Sequence, residues 1–152
     1  MRVYRLNRKK YAQQLSGHGA ALSSNRWNSK GVEMIYTAQN RALALAEVAV
    51  HFSVGTLPSG YVMMEIEIPD SLEISQIPEA DLPANWNRFP HIMETRLMGD
   101  AFIHEKKEVV CKVPSAVVPG EYNFLINPNH PDMEKIRICE ITDFPIDHRL
   151  FP

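Results

Sequence analysis

Tyr61-Val-Met-Met-Glu-Ile-Glu-Ile68 is the stretch that decides the fold class. In an extended chain Val62, Met64, Ile66 and Ile68 fall on one face and Glu65 and Glu67 on the other, as in a strand with one side against a core. The two glutamates are expected to be solvated. Outward from this strand, residues 2–6, 32–37, 108–113 and 136–141 are also rich in Val, Ile, Met and Tyr and are expected to be strands. Helix is confined to a few stretches, among them residues 95–104. Residues 76–90 hold Pro78, Pro83 and Pro90 around Trp86 and read as a loop with one helical turn, and Asn127-Pro-Asn-His-Pro131 is turn chemistry. Strands mixed with few helices, without regular alternation, predict an α+β fold: a single domain over residues 1–152 on a largely antiparallel sheet.

The second informative stretch is Arg41-Ala-Leu-Ala-Leu-Ala-Glu-Val-Ala-Val-His51. With no Gly or Pro before Gly55 and with Thr37 placed to cap the first turn, it predicts a helix that is apolar on nearly every face and mostly buried. Glu47 is the one polar residue between Ala42 and Val50. A carboxylate so placed is costly unless it is paired with an Arg or faces a cleft where water or a ligand reaches it. Arg26, Tyr36 and Ser115 are likewise polar residues within or at the edge of apolar segments.

At 152 residues and 45% hydrophobic content the chain suits one soluble domain with its own core. A formal net charge of −2 gives no broad footprint for nucleic acid, which leaves at most a local basic pocket. No signal-peptide pattern opens the chain and no uncharged apolar run nears the roughly 20 residues of a membrane span, so a cytoplasmic protein is expected. Cys111 and Cys139 lack zinc spacing and are expected to be reduced, buried thiols. The six histidines show no metal-ligand spacing, and no metal is expected. Gly17-His-Gly19 lacks the third glycine of a dinucleotide fingerprint, and Ser115 with His130 and Asp132 lacks the nucleophile elbow of a hydrolase.

The order of short motifs resembles the RES domain family, the toxin half of many bacterial toxin–antitoxin pairs. The resemblance runs through Val3-Tyr-Arg-Leu6, Gly17-His-Gly-Ala20, Asn25-Arg-Trp-Asn28, residues 31–38 and 42–51, Val113-Pro-Ser-Ala-Val117, residues 121–128 and Asp147-His-Arg-Leu150. It implies a fold like that of ADP-ribosyltransferases and an attack on NAD as substrate, with no further cofactor. By the same match the family's Arg, Glu and Ser fall on Arg26, Glu47 and Ser115, and its active-site Tyr on Tyr36. Two departures stand out: Phe102 near a position where many relatives carry Trp, and Ser24-Asn25 in place of a glycine before the arginine.

The residue types suit that chemistry. Nicotinamide leaves NAD as a neutral molecule, so no general acid is required, and an ionised Glu47 would stabilise positive charge building on the ribose. Arg26 offers a planar cation for the pyrophosphate, with Arg5 assisting and Asn28 beside it in the motif. Tyr36 is placed to stack on nicotinamide with its hydroxyl in water. Ser115 either shapes a turn or orients Glu47 or a substrate hydroxyl, and His51 either lines the cleft or sits favourably at the helix C-terminus. Water as acceptor makes the protein a glycohydrolase, phosphate a phosphorolytic enzyme, and a protein side chain an ADP-ribosyltransferase. A non-enzymatic nucleotide-binding module is the alternative class. The resemblance also implies an antitoxin that covers the cleft and carries a DNA-binding domain. No direct contact with nucleic acid or membrane is expected, and a homo-oligomer or a toxin–antitoxin hetero-oligomer is compatible with the sequence.

Overall fold

The computed structural model describes residues 1–53 and 59–151. In chain order the elements are β1 (Arg2–Arg8), α1 (His18–Ala21), β2 (Ile35–Ala38), α2 (Arg41–Ala49), β3 (Tyr61–Glu67), β4 (Ile74–Gln76), α3 (Met93–Glu105), β5 (Val110–Pro114), β6 (Tyr122–Ile126) and β7 (Arg137–Asp143). They form one seven-stranded sheet ordered β4-β5-β6-β2-β1-β3-β7, in which only β4 and β5 run parallel. This is the expected α+β class with a largely antiparallel sheet. The five expected strands and the second helix are present. β4 and β6 were not foreseen: β4 is too short to show a period, and β6 is a nearly unbroken apolar run, buried from Asn123 to Ile126.

Register divides the side chains between two faces. Val3, Ile35, Val62, Met64, Ile66, Val110, Phe124 and Ile126 form one core, closed by Ala12, Leu15, Met133 and Ile136. On the other face lie two separate clusters. Leu6, Ala38 and Met63 receive Leu43, Ala44 and Val48 of α2, whereas Cys111, Val113 and Leu125 receive Trp27, Met34, Trp86 and Ile103. The strip of β2 and β6 between α2 and the Trp27–α3 layer is therefore the floor of a cleft.

Several sequence expectations change here. Thr37 does not cap α2. It lies in β2, where its hydroxyl donates to the Phe124 carbonyl at 2.7 Å, and Asn40 is the cap, its Oδ1 accepting from Leu43 N–H at 2.8 Å. Nor is α2 mostly buried: Leu43 and Ala44 are, while Arg41 and Ala42 are exposed, because only one side of the helix packs on the sheet, against Leu6, Ala38 and Met63. Glu65 and Glu67 are not freely solvated, since Arg41 pairs with Glu65 at 2.6 Å and Arg137 with Glu67 at 2.8 Å. Cys111 is buried as expected, but Cys139 sits exposed on the edge strand β7. Both are free thiols.

α3 is drawn against the 25–29 loop by two features. Gly99 abuts the Trp27 carbonyl so closely that a Cβ there would lie 1.7 Å from its oxygen. One residue on, buried Asp100 accepts from Ser29 N–H at 2.8 Å and from the Ser29 hydroxyl at 2.5 Å. The loop that presents Arg26 is thus fixed to a helix about seventy residues away in sequence.

Candidate active site

Glu47 stands near the end of α2, half-buried, above the β2–β6 floor. The segment bends into this position through polar ties at the helix start, where Asn40 donates to Glu121 at 3.0 Å and Gln39 accepts from Tyr122 N–H at 3.1 Å. One carboxylate oxygen, Oε1, takes two hydrogen bonds: from the Ser115 hydroxyl at 2.7 Å and from the Asn123 amide at 2.6 Å. The other oxygen takes none among the described residues, and Glu47 has no Arg or Lys within ion-pair distance there. The paired-carboxylate reading is therefore set aside: neutral donors aim this carboxylate, and its second oxygen has no partner among the described residues.

Ser115 fulfils both sequence readings at once. Its oxygen accepts from Val117 and Val118 N–H at 3.1 and 2.9 Å, closing the turn after β5, while its proton goes to Glu47. Asn123 was not foreseen. The available signal was an amide inside an apolar strand, which parity with Val113 and Ala38 places on the cleft face.

Arg26 comes from the loop between α1 and β2. Its Nη1 donates to the carbonyls of Trp86 and Arg88 at 2.5 and 3.1 Å, and its guanidinium lies 5.9 Å from the Trp86 ring centre. Carbonyls orient a cation without neutralising it, so the charge stays available to an anion. Burial lowers the Arg26 pKa from its ordinary value; the nearby Glu47 charge and Tyr36 act in the opposite direction. Arg26 and Glu47 thus sense one another without forming an ion pair.

Tyr36 rises from β2, but its hydroxyl is not in water as expected. It accepts from Trp27 N–H at 3.2 Å and donates to Asn28 Oδ1 at 2.7 Å, and burial pushes its phenol well above the ordinary pKa. Asn28, expected to touch the nucleotide, is fully buried. Its amide donates to the Ala20 and Ser29 carbonyls at 2.9 and 3.1 Å, so it builds the Arg26 loop instead of facing a ligand. Arg5 is also displaced from its expected place. It pairs with Met64 on the first core's face, opposite to Tyr36 and Asn123, and donates to the Ser16 carbonyl at 3.3 Å. Burial lowers its pKa. His51 is exposed just past α2, where its N–H donates to the Val48 carbonyl.

A groove of about 370 Å³ between β4 and α3 is lined by Gln76, Ile77, Met98, Phe102 and Cys111, among others, and includes none of these groups. The candidate site is the surface around Glu47, away from this groove. No cluster of three or more His, Cys, Asp or Glu suited to a metal occurs among the described residues.

The profile of the RES domain family matches residues 2–147. The chain belongs to the RES domain family. Among its relatives is a protein of Sphingobium sp. (strain YBL2) named Prs ADP-ribosylating toxin, 36% identical over 141 residues that cover 91% of this RES chain and 88% of that protein. A Pseudomonas putida protein named Toxin Res is 34% identical over 139 residues, covering 90% and 92%. Among solved structures, the M. tuberculosis MbcT–MbcA toxin–antitoxin complex contains a chain that superposes on this RES fold with a TM-score of 0.72, at 18% identity, covering 94% of this chain and 83% of that one. At that identity the likeness concerns the fold.

Proposed function

We propose that this RES domain is a toxin enzyme that breaks the nicotinamide–ribose bond of NAD. The observation that carries the reading is Glu47, held through one oxygen by Ser115 and Asn123, with the other oxygen open among the described residues, across a cleft from an Arg26 that forms no ion pair among them. In the reaction the bond between ribose C1′ and the pyridinium nitrogen breaks, its electron pair passes to the ring nitrogen, and nicotinamide departs neutral. Positive charge develops on the ribose beside the open Glu47 oxygen, which stabilises it electrostatically. A lone pair of the acceptor then bonds to C1′, and the acceptor's proton is lost to Glu47 or solvent. Arg26 grips the pyrophosphate. Tyr36, with its hydroxyl tied to the loop, supplies a ring wall for the nicotinamide.

The test is nicotinamide release from NAD by the wild type and by Glu47→Gln, with circular dichroism to check folding. The variant keeps the hydrogen-bond geometry and loses the charge, so a folded Glu47→Gln with turnover lowered at least about a thousandfold is expected. Undiminished turnover would overturn the mechanism, and saturable NAD binding without release would make the protein a binding module. Water or phosphate is the acceptor in this reading. The name of the Sphingobium relative favours a second reading, transfer to a protein side chain. Identifying the ribose product with and without phosphate, and with candidate proteins added, separates the three.

The related fold was solved in complex with an antitoxin. An antitoxin that carries a DNA-binding domain and covers the Glu47 cleft is accordingly part of the proposal. Co-expression tests it: growth arrest by the wild type should be relieved by the partner and absent with Glu47→Gln. No helix among the described residues is long and apolar enough to cross a membrane.

A further inference from the structure

Among the described residues, three buried side-chain atoms have no hydrogen-bond partner: Asn123 Oδ1, His91 Nδ1 and Arg96 Nε. Buried polar atoms are rarely left unpaired, and each orphan calls for a partner such as a water, an ion or a ligand. Asn123 belongs to the Glu47 floor. His91 follows the loop residues that hold Arg26, and Arg96 lies on α3.

Arg26 is held by the carbonyls of Trp86 and Arg88, and His91 follows three residues later, its ring edge-on to Phe89 at 5.2 Å. Arg96 stands on α3 in line with Gly99, Asp100 and Ile103, the i, i+3, i+4, i+7 stripe of one helix face. Gly99 and Asp100 of that stripe press on Trp27 and Ser29, so the face is the one turned to the Arg26 loop. Helical side chains lean toward the N-terminus, which carries Arg96 from this seam toward residues 91 and 92. None of the ion pairs among the described residues includes Arg26, His91 or Arg96. The three are also close electrostatically: burial pulls the His91 imidazole below its ordinary pKa, and Arg26, His51 and Arg96 push the same way. Arg26 and Arg96 are guanidinium cations with no ion-pair partner among the described residues; their mutual repulsion is relieved by an anion, to which the neutral His91 imidazole offers a hydrogen bond.

We propose that Arg96 and His91, together with Arg26, form the pocket for the pyrophosphate of the dinucleotide, and that Arg96 sets the preference for a phosphorylated substrate over the bare nucleoside. The inference rests on the reading of the site as NAD-cleaving. A guanidinium suits the task because its fork can meet two phosphate oxygens at once, which Lys cannot do.

Two measurements test it. In the first, calorimetry follows ADP-ribose binding to the wild type and to Arg96→Gln, with circular dichroism on both. ADP-ribose carries the pyrophosphate but no scissile nicotinamide bond, so this arm reads the pocket whether or not the protein cleaves NAD. Loss of about tenfold or more in affinity by a folded Arg96→Gln is expected, the scale of one charge-assisted hydrogen bond, with Arg96→Lys recovering part of it. In the second, kcat/KM for NAD is divided by that for nicotinamide riboside, which lacks phosphate. The ratio should shrink in Arg96→Gln, whereas a merely structural role would lower both values together and leave the ratio as it was. Equal ADP-ribose affinity in wild type and Arg96→Gln, no ADP-ribose binding by the wild type, or an unchanged ratio would overturn the proposal. Wild type that binds ADP-ribose through Arg96 but releases no nicotinamide would overturn the NAD-cleaving reading and keep the pocket.

Discussion

At the scale of single residues, the site depends on how one carboxylate is aimed. Ser115→Ala removes three hydrogen bonds, one to Glu47 and two that close the turn after β5, whereas Asn123→Ala removes only the bond to Glu47. Both variants should lose turnover by about tenfold or more on the scale of one such bond, and Ser115→Ala should also lower Tm more than Asn123→Ala does. Steady-state nicotinamide release and thermal melts on the same samples decide this; equal melting losses would mean that the turn contributes little. Arg26, Tyr36, Glu47 and Ser115 stood out in the sequence because they are polar groups set against apolar neighbours. Arg5 misled because adjacent residues of a strand face opposite ways, and only the pairing of Tyr4 with Ala38 shows which parity meets the cleft. His91 and Arg96 carry no sequence signal at all, since nothing in their neighbourhood marks them off from an ordinary exposed segment.

At the scale of elements, α3 and the Arg26 loop act as one piece. Gly99→Ala would drive a methyl group into the Trp27 carbonyl, with backbone on both sides and no flexible tip to move aside. The helix must then back away, at a cost of about 1–3 kcal/mol. We expect a lower urea midpoint, with kcat/KM for NAD falling as well because Arg26 moves with Trp27; chemical denaturation and kinetics on the same variant check both. An unchanged midpoint would show that the seam relaxes freely. The helix boundaries show where local signals stop. Thr37 and Asn40 are both acceptable caps by residue type, and the choice fell to Asn40 because Thr37 is claimed by the ladder with β6. Likewise β6, with Asn123 as its second residue, offered a run of apolar residues whose period cannot tell strand from buried helix.

At the scale of the whole molecule, the class of fold was readable from β3, whose alternation and length leave little room for another element. The layer arrangement was not, because it depends on which strands neighbour one another, and the order β6-β2-β1-β3 brings together segments far apart in the chain. The two edges differ. β7 carries Arg137, Glu140 and Asp143, charges that discourage a further strand from adding there, while β4 is three residues long. The distance in sequence between Glu47 and its two holders, 68 residues to Ser115 and 76 to Asn123, has a consequence for synthesis. A nascent chain exposes its carboxylate long before the residues that aim it have left the ribosome. In the proposed function the activity is therefore assembled late: chains halted before residue 115 should release no nicotinamide in a cell-free translation assay, and release should begin only once β6 has emerged. The antitoxin of the proposed function, if made at the same time, has that interval in which to arrive.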